Sequence, residues 1–470
     1  MGTISSAFAM TTGALEADQA ALNVVANNVA NANTPGYTEE TPTWQENDPI
    51  TLNGSSSGSG ATETGASSMR DRVLTERIDQ QQQLASASGT RLTALNSIQA
   101  LFSVDSGTST SSAGDIGNDL TSFFDSFSSL EGNPTSSSLR QEVLSAASTL
   151  ASDVSGAASS LASQKVALDQ EASGVASQVN ALTASIAQLN TQIQTTSPDS
   201  DAGTLEDQRE EDVSQLSQFV GINQITTENN GLSITTTSGA TLVSEGSSNP
   251  IETGLQDGAT HFLVGGTDVT AGLTTGGGQL GGYLTARDID IPSVTTSLDQ
   301  LAYSVSTQVN ALNNAGTDMD GDSANAGNIF SESKQVAGSA LSMSVVMADP
   351  NHIAAAGAGE GTGGSTNAMA IAALNKTSFV NGQTPSDYYS SFVSSLGATV
   401  TEVSTENTAQ NASVTQLQTQ NDSLSAVNLN DEASAMTTLE RSYQAASQVF
   451  SMLNTIIASA LNLGDQTTVS

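Results

Sequence analysis

The chain has 470 residues, no cysteine and a formal charge of −37, with 48 acidic side chains against 11 basic ones. That length supports several domains around a proper core. The charge disfavours nucleic acid and anionic membrane as partners, and the missing cysteines exclude disulfide scaffolds, thiol catalysis and Cys-ligated zinc.

Residues 1–33 read as a helix. Phe8, Leu15, Leu22 and Val29 recur every seven residues, with Ile4 and Val25 on the flanking row. That is one narrow apolar stripe seeking a partner helix. The outer face carries only Glu16 and Asp18 as charges, and Asn23, Asn27, Asn28, Asn31 and Asn33 fill the rest. Such a face predicts burial on several sides, with amide hydrogen bonds to neighbouring chains. Thr34-Pro35-Gly36 ends the helix, because Pro35 lacks a donor and restricts Thr34. No Lys or Arg precedes the apolar positions, and no window approaches a membrane span. A cleavable signal and membrane insertion are therefore not expected, which leaves the cytoplasm or export through an uncleaved N-terminal segment.

From Thr38 to about Ser68 the chain is turn-rich, including Ser55-Ser56-Ser57-Gly58-Ser59-Gly60, and reads as a linker or loop. Helical pattern resumes at Met69, with Val73, Leu74, Ile78, Leu84, Leu92, Leu95, Ile98 and Leu101 as its stripe. Asp105 to Gly117 is a second Ser/Gly/Thr loop. Leu120, Phe123, Phe124 and Phe127 anchor a short helix stopped at Gly132-Asn133-Pro134. Leu139 to Ile193 is the longest helical stretch. Leu168, Val175, Leu182 and Leu189 form one heptad row there, and Ala172, Val179, Ile186 and Ile193 another. Ser197-Pro198-Asp199 breaks it, and Leu205 to Val220 is a further helix containing Leu205-Glu206-Asp207-Gln208-Arg209.

From Ile222 to about Leu284 the period falls towards two, punctuated by Gly231, Gly239, Gly246, Gly265-Gly266 and Gly276-Gly277-Gly278, which predicts a small antiparallel β domain. Helix returns after Ile291-Pro292-Ser293 with Val294, Leu298, Leu301, Val305, Val309 and Leu312, and Gly316 ends it. A Gly-rich region runs to Asn367, followed by helices over Tyr388–Val403 and Val414–Leu424.

The last helix, Leu429 to Leu463, carries Met436, Tyr443, Phe450 and Ile457 on one row and Leu439, Ala446, Leu453 and Ala460 on the next. Asn428 is its expected N-cap, Asp431 and Glu432 suit the positive first turn, and Gly464 is its expected stop. The two chain ends thus predict a coiled-coil pair that orders on assembly, with everything else inserted between them. The expected fold is mainly α with a β insertion. Terminal coiled-coil helices (1–45 and 424–470) enclose an elongated helical-bundle rod domain (46–221 and 290–423), and a small antiparallel β domain (222–289) is inserted between its halves.

Little in the chain suggests chemistry. His261 and His352 lie far apart without a zinc-protease neighbour, and read as packed or surface residues. Asp318-Met319-Asp320-Gly321-Asp322 is similar to a calcium loop, but its Gly is misplaced and Ile329 stands where a closing Glu belongs. Gly276-Gly277-Gly278 lacks the Gly-Lys-Ser of a phosphate loop. No enzyme, metal or cofactor is expected.

Ala26-Asn27-Asn28-Val29-Ala30-Asn31-Ala32-Asn33-Thr34-Pro35-Gly36-Tyr37 resembles the N-terminal signature of bacterial flagellar rod, hook and hook-associated proteins. Asn428-Leu429-Asn430-Asp431-Glu432-Ala433 with Arg441-Ser442-Tyr443-Gln444-Ala445-Ala446 resembles their C-terminal one. The interior resembles the hook-associated protein 1 (FlgK) family at Ile186–Ile193, at Leu205–Arg209, at Gly281-Gly282-Tyr283-Leu284-Thr285-Ala286-Arg287-Asp288, at Leu298–Ala302 and at Asp387-Tyr388-Tyr389. Glu39, Ala426 and Asn430 depart mildly from the family pattern.

The resemblance implies a structural ring between hook and filament, and export, uncleaved, by the flagellar type III apparatus to the extracellular flagellum. It implies four partners: further copies of the chain, the hook protein on one side, hook-associated protein 3 on the other, and a cytoplasmic chaperone at the C-terminal helix. Phe8, Leu15, Leu22, Val29, Met436, Leu439, Tyr443, Phe450, Leu453 and Ile457 are the expected assembly residues, with Asn31, Asn33, Pro35, Gly36 and Tyr37 as the signature turn. The alternatives are a hook or distal rod subunit, and a surface adhesin that binds through the β insertion.

Overall fold

The computed structural model describes residues 2–34, 36–52, 55–102, 116–197, 201–256, 259–321 and 327–465. Helix α1 (Gly2–Asn31) is followed by strands β1 (Glu40–Glu46), β2 (Ile50–Leu52), β3 (Ser55–Ser57) and β4 (Ala61–Ser68). The stretch expected to be a loop is thus a hairpin. Its β1 pairs antiparallel with β4 from Glu40↔Ser68 to Glu46↔Ala61, with a bulge at Thr43/Trp44, and β2 pairs with β3 at the tip. Thr, Ser and Gly hid it from a reading based on apolar alternation.

Helices α2 (Arg72–Ala100), α3 (Ile116–Gly132), α4 (Ser137–Thr196) and α5 (Thr204–Phe219) come next. Asp71 caps α2 by accepting from the amides of Val73 and Leu74, and Ser136 caps α4 by accepting from Leu139. Most of the Asp105–Gly117 loop, and Pro198 and Asp199 after α4, lie outside the described residues.

The β insertion has two sheets. Strands β5 (Ile222–Thr226), β6 (Leu232–Thr236), β7 (Thr241–Ser244) and β8 (Ser247–Ser248) form an antiparallel meander. Strands β9 (Ile251–Gln256), β10 (Ala259–Val264) and β11 (Thr267–Asp268) form the second sheet. Helix begins sooner than the expected limit near Leu284, with α6 (Thr270–Thr274) and α7 (Gly278–Thr285). The Gly276–Gly278 run makes the sharp entry to α7. A Cβ on Gly278, at φ +71°, would lie 2.5 Å from the Val220 nitrogen. A π-helical turn, Ala286–Asp290, carries α7 directly into α8 (Ile291–Ala315), whose first turn holds Pro292.

After Gly316 the chain forms short turns and α9 (Thr366–Ala373). Helix α10 (Pro385–Ser425) spans both helical patterns expected there in one piece. Helix α11 (Leu429–Asp465) runs through Gly464 instead of stopping before it. Asn428 accepts from the Asn430 amide at its start.

Two cores share α4, whose 60 residues span about 90 Å. The larger packs Val143–Leu161 of α4 against α2, α3, α8, α9 and α10, around Phe123, Phe124, Phe127, Ile98 and Phe330. The smaller packs Ala172–Ala187 against α5, α7 and the β insertion, around Val179, Leu216, Ile234 and Phe262. Between them, residues 162–171 of α4 include no fully buried side chain. Of the two expected heptad rows, Ala172, Val179, Ile186 and Ile193 are wholly buried, whereas Leu168 and Leu182 lie at the margin.

Candidate assembly interface

The chain ends meet antiparallel. The Phe8 and Phe450 rings lie 4.6 Å apart, centroid to centroid, and Asn28 Nδ2 donates to Glu432 Oε1 over 2.9 Å near the opposite end. A second neighbour, the β1–β4 hairpin, also packs along α1: Gly60 faces Met10, and the Glu40 carbonyl accepts from Asn28 Nδ2 over 2.8 Å. The deepest line of α1 therefore falls between its two neighbours and holds Thr11, Ala17, Asp18, Ala21, Val25 and Asn28.

The expected seam lies to one side of that line. Phe8, Leu15, Leu22, Met436, Leu439, Phe450, Leu453 and Ile457 are half-buried, while Val29 and Tyr443 are exposed. Heptad spacing located the stripe, but the hairpin that rotates it was read as a loop. Leu429, Val449, Met452 and Ile456 add to the exposed apolar side of α11.

Asn28, which the sequence reading did not single out as a site residue, is the node of the pair. Its amide nitrogen donates to Glu40 O and Glu432 Oε1, and its Oδ1 accepts from Tyr37 Oη (2.8 Å) and the Glu40 amide (3.0 Å). One buried side chain thus uses all its hydrogen-bonding capacity to join α1, the signature turn, β1 and α11. These bonds run within the chain, where the sequence suggested neighbouring chains. Three burying segments around one asparagine leave no such trace in helical periodicity.

Asn31 supports the turn, donating to Asn27 Oδ1 (2.8 Å) and accepting from Thr34 Oγ1 (3.3 Å). Gly36 takes φ +76° beside Glu211, Asn33 is exposed, and Pro35 lies outside the described residues. Burial, then the charges of Glu40, Asp207, Glu432 and Glu39, push the Tyr37 phenol well above its ordinary value, so it stays a donor. Burial also raises Glu40 and Glu432 above the usual carboxylate range.

A second network ties this junction to the rod. Thr38 Oγ1 donates to Asp207 Oδ1 over 3.1 Å. Arg70 bridges Glu206 (2.9 Å) and Asp207, and Arg72 reaches Glu206 over 2.8 Å. Farther along α5, Arg209 donates to Asn190 Oδ1 and Asn230 O, and Asn190 in turn holds the carbonyls of Leu232 and Glu245. The Leu205–Arg209 motif therefore connects the chain ends to the β insertion. Burial opposes the charge of Arg70, but Asp207 and Glu210 outweigh it and raise its pKa.

The candidate chemical groups are elsewhere. His261 Nδ1 lies 2.6 Å from Asp268 Oδ2 at the edge of the β insertion, and Thr270 and His261 hold Asp268 down to about 2. His352 Nδ1 lies 3.0 Å from Asp318 Oδ2. Asp318, Asp320 and His352 place three ligand-type atoms within 4.8 Å of one another, beside the positive charge of Arg140. Asp322 falls outside the described residues. Among those described, no helix is long and apolar enough to cross a membrane.

The comparisons follow this architecture. The model of the flagellar hook-associated protein FlgK helical domain matches residues 101–330, and that of the flagella basal body rod protein matches residues 10–38. Flagellar hook-associated protein 1 of Salmonella typhimurium is 28% identical over 320 residues, covering 65% of this chain but only 56% of that protein. The proteins of the same name from Escherichia coli and Bacillus subtilis are each 25% identical, with 96% of this chain covered and 98% and 96% of theirs. The flagellar hook junction protein FlgK from Burkholderia pseudomallei shares the fold, at a TM-score of 0.65 and 17% identity, over 74% of this chain and all of that one. The chain is thus similar to the flagellar hook-associated protein 1 (FlgK) family of structural flagellar proteins, through its helical interior by the family model and over nearly its full length by the Escherichia coli and Bacillus subtilis relatives.

Proposed function

We propose that the chain forms the junction between hook and filament, and that the flagellar type III system exports it uncleaved to the extracellular flagellum. Its partners in this reading are further copies of itself in a ring, the hook protein on one side and hook-associated protein 3 on the other. A cytoplasmic chaperone covers α11 before export.

The observation that carries the reading is the unequal burial of the terminal pair. Its inner side is closed by α1, α11 and the hairpin, while Val29, Leu429, Tyr443, Val449, Met452 and Ile456 face outward. An apolar side on an antiparallel pair suits a lattice of like pairs. Phe8, Leu15, Leu22, Val29, Met436, Leu439, Tyr443, Phe450, Leu453 and Ile457 carry assembly in this reading, around the turn Asn31, Asn33, Pro35, Gly36 and Tyr37. The pair is loosely held in the single subunit and orders on assembly.

Electron microscopy of a deletion strain, with flagellin measured in the medium, tests it. Hooks of normal length without filaments, and flagellin spilled outside, are expected. The match of residues 10–38 to a rod protein model favours a second reading, a rod or hook subunit, for which hooks would be missing or malformed. Normal filaments would overturn both.

A further inference from the structure

The root of the β insertion holds an acid with no cation paired to it among the described residues. Asp79 of α2 is only 1% exposed. Its Oδ2 accepts from Gln224 Nε2 of β5 over 2.8 Å. Its Oδ1 is shut from solvent and completes no hydrogen bond among the described residues, although the Ser214 hydroxyl is near enough to ease its charge. One turn along α2, Gln83 Nε2 donates to the buried Ile222 carbonyl over 3.2 Å. The first strand of the insertion thus hangs on α2 by two polar contacts.

The charges that bear most on Asp79 are both acidic: Glu210 from α5 and Glu76 from α2 itself. Strand β5 has no charged residue, α7 offers only Tyr283, and α10 has no charge between Glu406 and Asp422. The nearby guanidiniums are engaged elsewhere. Arg70 and Arg72 hold Glu206 and Asp207 and Arg209 holds Asn190; burial raises Glu210 as well, against the charge of all three.

We propose that Asp79 is a proton-operated latch between α2 and the β insertion, closed while its carboxyl is protonated and loosened when it ionises against Glu210. An unpaired carboxylate sealed in the interior is costly, and a proton on Oδ1 removes that cost. Burial and Glu210 push Asp79 up to about 7, so the latch works across the neutral range. The sign follows from linkage: a carboxyl raised in the folded state stabilises below its ordinary value, and that stability is lost as pH rises towards 7. The latch is independent of the junction reading and concerns how firmly the insertion is held.

Amide hydrogen exchange of the full chain, corrected for intrinsic rates, tests it across pH 5 to 8. Protection of β5 and of α2 around residues 76–83 is expected to fall by up to about tenfold per pH unit until near 7, then level off. In Asp79→Asn the same amides are expected to show no such slope. Carbon NMR titration of the wild-type Asp79 carboxyl reads the same group without mutation. An ordinary carboxylate midpoint there, or an equal slope in wild type and Asp79→Asn, overturns the proposal.

Discussion

The rod and the terminal pair are both helical, yet they are built to different densities. In the rod, Phe123 meets Phe124, Phe127 and Phe330 at centroid distances of 5.2, 5.4 and 5.4 Å, inside a continuous core. In the terminal pair the fully buried apolar residues are Ala17, Ala21 and Val25, and the large side chains are half-covered. A buried alanine contributes far less than a buried phenylalanine, so the rod is held by its own packing while the pair leans on polar contacts. The difference separates what holds the subunit together from the surface that the proposed assembly would use.

Changes can be ranked by how sharply they expose that contrast. Phe123→Ala is expected to cost about 3–5 kcal/mol in the main thermal transition, because the aromatic cluster cannot refill the space. Arg70→Ala comes next, at about 3 kcal/mol, since it leaves Glu206 and Asp207 buried without their bridging charge. It should also loosen the chain ends, read as faster proteolysis near Thr38. Asn28→Ala strips partners from Glu432, Tyr37 and the Glu40 backbone, at about 1–3 kcal/mol. Its effect should be confined to α1 and α11 in hydrogen exchange, and a lowered main transition would mean the two regions are one unit.

The smallest effect concerns His352. Its hydrogen bond to Asp318 raises its pKa above the ordinary histidine value. The contact is therefore fully present below that value and is lost as pH rises through the raised one. Proton NMR should show the midpoint fall towards that of ordinary histidine in Asp318→Asn, with assembly unaltered.

The helical interior was legible in the sequence because Leu, Ile, Val and Phe repeat at helical spacing over long stretches, as in Ala172–Ile193. The pairing of the chain ends was legible for the same reason. The hairpin over residues 40–68 was not, since its strands carry Thr, Ser and Gly, and their pairing partner lies some twenty residues away. The helical end of the β insertion was hidden by glycines that serve a close approach to Val220. Asn28 stood among five similar asparagines, and only the convergence of three segments distinguishes it.

The central claim is that the half-covered seam joins subunits and does little for the subunit's own fold. Phe450→Asp tests it most directly. The variant should keep the main thermal transition of the wild-type chain while failing to enter flagella, as read by immunogold labelling and motility. Variant subunits found in flagella of normal number and length would contradict the account.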